Sequence, residues 1–239
     1  MYSADEKFID YAKSEMGEQV KAGGIKAVIF DLDGTLVDTL GDLTDATNEA
    51  MKAVGHPLHT RAEVRSFIGN GIPVLIKRAL GDDQSGFERA LSEFRRYYDL
   101  HSTDKSVAYD GVAELIAWLT DNGIKTAVVT NKYDSAAKIV TKKTLPPLDE
   151  VVGVSDGVNP KPAPDGILLA LKLLGVEPSE TVYVGDSQVD CDTSQKCGLK
   201  FIGAGWGFGC ITSPSVIAKT PLEIIQILAD DIPEIFTIS

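Results

Sequence analysis

The sequence predicts an α/β fold, a doubly wound parallel sheet carrying an inserted block of helices. Three observations predict it. Short apolar runs rich in β-branched residues recur along the chain: KAVIF (26–30), KTAVVT (125–130), EVVGVS (150–155), TVYVGD (181–186) and KFIGAGW (200–206). Each is apolar on both faces, the mark of a strand buried in a parallel sheet. Stretches with helical spacing lie between them, and one long helical block interrupts the alternation.

The elements can be justified in chain order. Phe8, Ile9, Ala12 and Met16 suggest a short amphipathic helix that Gly23-Gly24 ends, so residues 1–24 read as an N-terminal helical extension. Residues 25–41 and 105–239 read as a Rossmann-like α/β core. Within it, Val112, Leu115, Ile116 and Leu119 fall on one helical face, and Gly123 stops that helix. A second helix is predicted from Pro164 to Leu174, stopped by Gly175. Residues 42–104 form the inserted α-helical cap domain. Three helical stretches are expected there, at 43–54, 63–80 and 87–100, with breaks near Gly55-His56-Pro57 and Gly81-Asp82-Asp83. An insertion just after the first strand sits over the carboxyl ends of the strands, where open α/β sheets bind ligands.

Composition narrows the function. The 239 residues are 44% hydrophobic and 24% charged, enough to build a core without staples. The net charge of −12 argues against nucleic-acid and anionic-membrane partners, which repel an acidic surface. It leaves room for a small anionic substrate at a local positive site. Cys191, Cys197 and Cys210 are few, odd in number and not in a CxxC pair, so neither a disulfide framework nor a zinc site is expected. No apolar run approaches the roughly 20 residues of a membrane span. No secretory signal is read at the N-terminus, and a cytoplasmic location is the default expectation. His56, His59 and His101 show no metal spacing, and Tyr97, Tyr98 and Tyr133 read as core or interface aromatics.

The strongest chemical signal is Phe30-Asp31-Leu32-Asp33-Gly34-Thr35. Two carboxylates just past an apolar strand project from its C-terminal edge. One can attack as a nucleophile, while the other protonates a leaving oxygen and later activates water. Gly34 permits a tight or left-handed turn. Thr130 ends the second strand of the core, and Asn131 follows it. Lys161 stands between two prolines in NPKPAPD, and Asp186 and Asp190 lie in VGDSQVD.

FDLDGTLVDT resembles the first motif of the haloacid dehalogenase-like hydrolases, and the remaining motifs occur in the order of that superfamily. The resemblance covers roughly residues 25–210. It implies Asp31 as nucleophile and ligand of Mg2+, and Asp33 as general acid/base with its backbone carbonyl on the metal. It implies Thr130 as donor to the phosphoryl group, with Asn131 adding a donor, and Lys161 as the cation that offsets charge on nucleophile and phosphate. Asp186 would ligate the metal and Asp190 would ligate or support it. Dehalogenating members lack a carboxylate at the place of Asp33, so its presence favours phosphate-ester chemistry. RSFIGNGIPVLIKRAL looks like the cap of phosphoglycolate phosphatases, which implies that Gly69, Asn70 and Gly71 lie at the active-site mouth with amides available to an anion. Arg65 either faces the substrate or is an exposed helical arginine. The expected activity is magnesium-dependent hydrolysis of a small phosphate monoester, with 2-phosphoglycolate the leading substrate, by a monomer or homodimer. The alternatives are a sugar phosphomutase of the same superfamily and a non-enzymatic phosphate-binding regulatory module.

Overall fold

A computed structural model describes residues 24–212 and 216–229. The predicted N-terminal helical extension therefore lies outside the described residues, apart from Gly24. Six parallel strands form the main sheet: β1 (Ala27–Phe30), β4 (Lys125–Tyr133), β5 (Glu150–Val154), β6 (Thr181–Gly185), β7 (Lys200–Ala204) and β8 (Val216–Ala218), in the order β5-β4-β1-β6-β7-β8. The chain runs from β1 outward to β5, then returns to β6 on the other side of β1. That reversal makes β1 the switch point, where a crevice opens at the carboxyl ends of the strands. The five predicted strands are present. The short edge strand β8 was not foreseen, because its three residues carry too little pattern to read.

The alternation of side chains along β1 shows why the sheet is buried on both faces. Val28 and Phe30 join one core with Val128, Val182 and Val184, beneath α5 (Val112–Asp121), α6 (Asp134–Thr144) and α9 (Pro221–Ala229). Ala27 and Ile29 join the other with Ala127, Val129 and Tyr183, beneath α7 (Asp165–Leu174) and α8 (Gln188–Lys196). Among the described residues no helix is long and apolar enough to cross a membrane. None of the three cysteines is in a disulfide.

The inserted block holds four helices rather than the three expected stretches: α1 (Leu40–Val54), α2 (Arg61–Phe67), α3 (Ile72–Leu80) and α4 (Phe87–His101). The stretch 63–80 is split. Ile68 leaves the helix in an extended conformation, and Gly69 and Gly71 adopt positive φ of 113° and 83°. Only glycine takes such angles without strain, so the Gly-Asn-Gly segment breaks the helix and turns it. Leu43, Ala46, Ala50, Ile72, Leu75, Ile76, Phe94 and Tyr98 build a third core inside the block.

The chain enters the block beside β2 (Val37–Asp38) and leaves it beside β3 (Val107–Ala108), which pair antiparallel. Neither two-residue strand was foreseen. Just inside this ribbon, buried Asp42 closes the two crossings together. Its carboxylate accepts from the amides of Lys105 and Ser106, each at 2.9 Å, and from the Ser106 hydroxyl at 2.6 Å. Removing it would strand these donors, each costing about 1–3 kcal/mol if it stayed dry. Asp42→Ala is therefore expected to lower unfolding free energy by about 3 kcal/mol. Urea denaturation measures this, and a loss below about 0.5 kcal/mol, the usual range of a surface change, would show that the clasp is not structural.

Candidate active site

The sheet register assembles the site. Phe30 pairs with Val128 of β4 and with Val184 of β6. Asp31 and Asp186 thus emerge side by side just past two neighbouring strand ends, and Thr130 of β4 joins them. Residues separated by about 100 positions in sequence share one edge because β1 lies between the two halves of the sheet. The Asp31 amide is anchored to the Val184 carbonyl at 2.9 Å. A cavity of about 70 Å³ opens above them, lined by Asp31, Asp33, Thr130, Lys132 and Asp186 from below and by Arg65, Gly69 and Gly71 from the insertion.

Lys161 is buried at the centre of this edge. Its ammonium has three protons and three acceptors: the Val129 carbonyl at 3.1 Å, the Tyr183 hydroxyl at 3.0 Å and Asp190 Oδ1 at 2.6 Å. Asp31 Oδ1 also lies 2.8 Å from Nζ, yet no hydrogen bond is directed at it. Asp31 therefore gains positive charge from Lys161 while keeping a lone pair free. Asp190 is used differently. Its Oδ2 accepts from the Ser187 amide at 3.1 Å and hydroxyl at 2.6 Å, so both its oxygens are committed. Ser187 is also the N-cap of α8, which means that the turn and the charge network are one structure.

Carboxylate oxygens of Asp31, Asp186 and Asp190 lie within 4.8 Å of one another. Such hard oxygen donors suit a divalent cation, and the free lone pair on Asp31 fits that use. Burial is the main reason Asp31 is pushed up to about 7, helped by repulsion from Asp190 and Asp186 and opposed by Lys161. Asp186 is pushed up to about 6, again chiefly by burial and then by Asp190, while the amides of Gly209 and Phe208 oppose it. Both shifts record a cluster whose negative charge exceeds what Lys161 alone offsets.

The loop after β7 wraps Asp186. Phe208 and Gly209 donate their amides to Asp186 Oδ2 at 2.6 and 3.0 Å. A Cβ on Gly207 would come within 2.2 Å of Asp186 Cβ, and one on Gly34 within 2.4 Å of Asp186 Oδ2. No other residue fits either place. The sequence reading stopped at Trp206 and missed this loop, although glycines at 203, 205, 207 and 209 were the available signal.

Asp33 has partners of its own. Lys132 grips both carboxylate oxygens, at 2.8 and 2.9 Å, and the Thr39 hydroxyl donates to Oδ1 at 2.6 Å. Lys132 was also missed. It stands where β4 departs from regular pairing with β5, between Val129 and Tyr133, so strand alternation gave no warning of it. Burial alone would lower the Lys132 ammonium, but the charge of Asp33 outweighs it and holds it above the usual lysine range.

The other expected ligand-binding residues differ in where they stand and what they bond. Asn131 lines the cavity, but its amide protons go to the carbonyls of Gly69 at 3.0 Å and Lys161 at 3.1 Å, and its Oδ1 accepts from the Lys161 amide at 2.6 Å. It clasps three segments and has no proton left for a substrate. Asn70 is not among the residues lining the cavity, and its side-chain Oδ1 accepts from Arg78 at 2.9 Å. Gly69 and Gly71 do line it. Arg65 reaches across to the core loop, donating to the carbonyls of Phe208 at 3.1 Å and Gly207 at 2.6 Å.

A family model of haloacid dehalogenase-like hydrolases matches residues 28–204. The chain is 34% identical to a phosphoglycolate phosphatase of Pseudomonas syringae pv. tomato, over 90% of this chain and 82% of that one. It is 32% identical to phosphoglycolate phosphatase 1 of Pseudomonas aeruginosa, over 87% and 79%. Among solved structures, a protein of Lactobacillus delbrueckii subsp. bulgaricus, provisionally named a phosphoglycolate phosphatase, superposes with a TM-score of 0.82. It is 31% identical, with 86% of this chain and 98% of that chain covered.

The raised acids set the pH dependence of the metal-free protein. A carboxyl group whose value rises on folding binds its proton more tightly in the folded state. Its stabilising effect is complete below the unfolded value of 3.8 and is lost as pH rises through about 7 for Asp31 and about 6 for Asp186. Chelator-treated protein should therefore lose melting temperature across that window. Asp31→Asn removes one buried charge and should melt higher than the wild type at pH 8 in chelator. A lower melting temperature for the variant would contradict the assigned electrostatics.

Proposed function

The chain belongs to the haloacid dehalogenase-like hydrolases, and from that premise we propose that it is a magnesium-dependent phosphatase of small phosphate monoesters, with 2-phosphoglycolate the leading substrate. The observation that carries this reading is the presence of two carboxylates at one strand end, each on its own buried lysine: Asp31 on Lys161 and Asp33 on Lys132. Two adjacent acids with separate counter-ions can hold separate roles, one as nucleophile and one as proton carrier. Relatives named phosphoglycolate phosphatase, at 34 and 32% identity over most of the chain, support the substrate class.

In this reading the Asp31 carboxylate attacks phosphorus, and the P–O bond to the substrate alcohol breaks. Asp33 gives its proton to the departing oxygen. It then takes a proton from a water, which attacks phosphorus of the aspartyl-phosphate and frees Asp31 and inorganic phosphate. Thr130 would donate to a phosphoryl oxygen. Lys161 supplies the charge that lets an anionic nucleophile meet an anionic substrate, and Asp190 holds Lys161 in place. Asp31, Asp186 and the Asp33 carbonyl would hold Mg2+, with Asp190 supporting them from behind. When bound, the cation supplies further neutralisation of phosphoryl charge.

We assign residues 42–104 as the cap and residues 25–41 and 105–239 as the core. The cap shields the site, and the Gly69–Gly71 turn faces the substrate. The reading places the protein in the cytoplasm as a monomer or homodimer.

The test is a phosphate-release screen over small phosphorylated metabolites with Mg2+, run on wild type and Asp31→Asn. The wild type should release phosphate from 2-phosphoglycolate, and Asp31→Asn should lose at least about 1,000-fold, as removal of a covalent nucleophile does. No release from any phosphoester, or full activity in Asp31→Asn, would sink the proposal. Accumulation of a bisphosphorylated sugar with little free phosphate would point to the mutase instead.

A further inference from the structure

Lys132 is a buried lysine that the reaction scheme above does not use. Its ammonium lies 2.8 and 2.9 Å from the two oxygens of Asp33, and its side chain is only 2% exposed. Asp31 already has Lys161, so the two lysines divide the two acids between them. The face of the Tyr98 ring lies 5.0 Å from the Lys132 nitrogen. Tyr98 is buried in α4 and stacks on Phe94 inside the helical insertion. Lys132 thus stands between a carboxylate of the core and an aromatic ring of the insertion.

A buried lysine beside one carboxylate usually serves charge balance alone. Here three features go beyond that. The contact is to both oxygens, so it sets the orientation of the carboxyl plane as well as its charge. The Thr39 hydroxyl bonds Oδ1 at 2.6 Å, from the chain just before α1, leaving Asp33 held from both β4 and the entry to the insertion. The ring of Tyr98 favours a cation at that spot and fixes it against α4.

We propose that Lys132 is the positioning residue of Asp33. It fixes the point from which Asp33 exchanges protons with the leaving oxygen and the attacking water, and through Tyr98 it ties that point to helix α4. The inference rests on the phosphatase reading and deepens it. Lys132 neither gives nor takes a proton in the cycle. The proton Asp33 delivers to the leaving oxygen is replaced by one from water, and Lys132 keeps its three throughout.

A residue that acts through another leaves a kinetic signature. Positioned acid–base groups contribute about 100-fold or more, so Lys132→Met should lower kcat on an alkyl phosphate by about that factor. KM should change far less, because the phosphoryl group is held by Thr130 and Lys161. Two measurements separate this from a structural or a direct phosphate-binding role. On an Asp33→Asn background, Lys132→Met should cause no further loss, since the residue it positions is already gone. Across a series of phosphate esters of falling leaving-group basicity, the profile of Lys132→Met should parallel that of Asp33→Asn.

Losses that multiply in the double variant, or a rise in KM equal to the fall in kcat/KM, would overturn the inference and assign Lys132 to the substrate directly. An equal loss on every ester, unlike the profile of Asp33→Asn, would also overturn it. Circular dichroism checks folding. Lys132→Gln, which keeps a donor but not the charge, carries the same measurements should Lys132→Met not fold. Wild type and Asp33→Asn on the same esters test the phosphatase reading by themselves, so its failure is distinguishable from that of the inference.

Discussion

The contact between Lys161 and Asp190 is the constraint on which the site depends. Both groups are buried, and neither is tolerable there alone, since an isolated ion in a protein interior costs several kcal/mol. Together they satisfy each other at 2.6 Å, and the same ammonium lies 2.8 Å from Asp31. Every neighbouring element serves this pair. The Val129 carbonyl and the Tyr183 hydroxyl complete the ammonium, while Ser187 completes the carboxylate. The result is a nucleophile that is neighboured by a cation but not hydrogen-bonded by it.

A second set of contacts joins the insertion to the core, and some of them end at the site. Asp42 clasps the two chain crossings. Asn131 holds the Gly69 carbonyl and the Lys161 backbone at once. Arg65 of α2 holds the carbonyls of the very loop whose amides hold Asp186. The cavity therefore has walls whose positions depend on the same residues that carry charge.

Much of this was legible from the chain alone, for physical reasons that differ by residue. The strands were legible because burial on both faces demands unbroken apolar runs. Asp31, Asp33 and Asp186 stood out as charged residues at the ends of such runs, whereas Lys161, between two prolines, was singled out through the family resemblance. Lys132 was not, because a lysine two places past a threonine looks like any solvated charge, and β4 pairs irregularly with β5 just where it stands. The loop at 207–209 was not, because backbone amides leave no mark on sequence except through glycines that something else must explain. Asn131 resembled a ligand donor, but the partners of its amide protons, the carbonyls of Gly69 and Lys161, are distant in the chain.

The sequence by itself determined the sheet, the insertion after β1 and the acids at strand ends, because these follow from local patterns of burial and turning. Only the tertiary structure decided which lysine serves which acid. Asp31 and Asp33 are two residues apart, whereas their counter-ions come from residues 161 and 132, brought to them by β4 and by the loop after β5. Charge pairing depends on distance in space, and a few ångströms separate a nucleophile's partner from a proton carrier's.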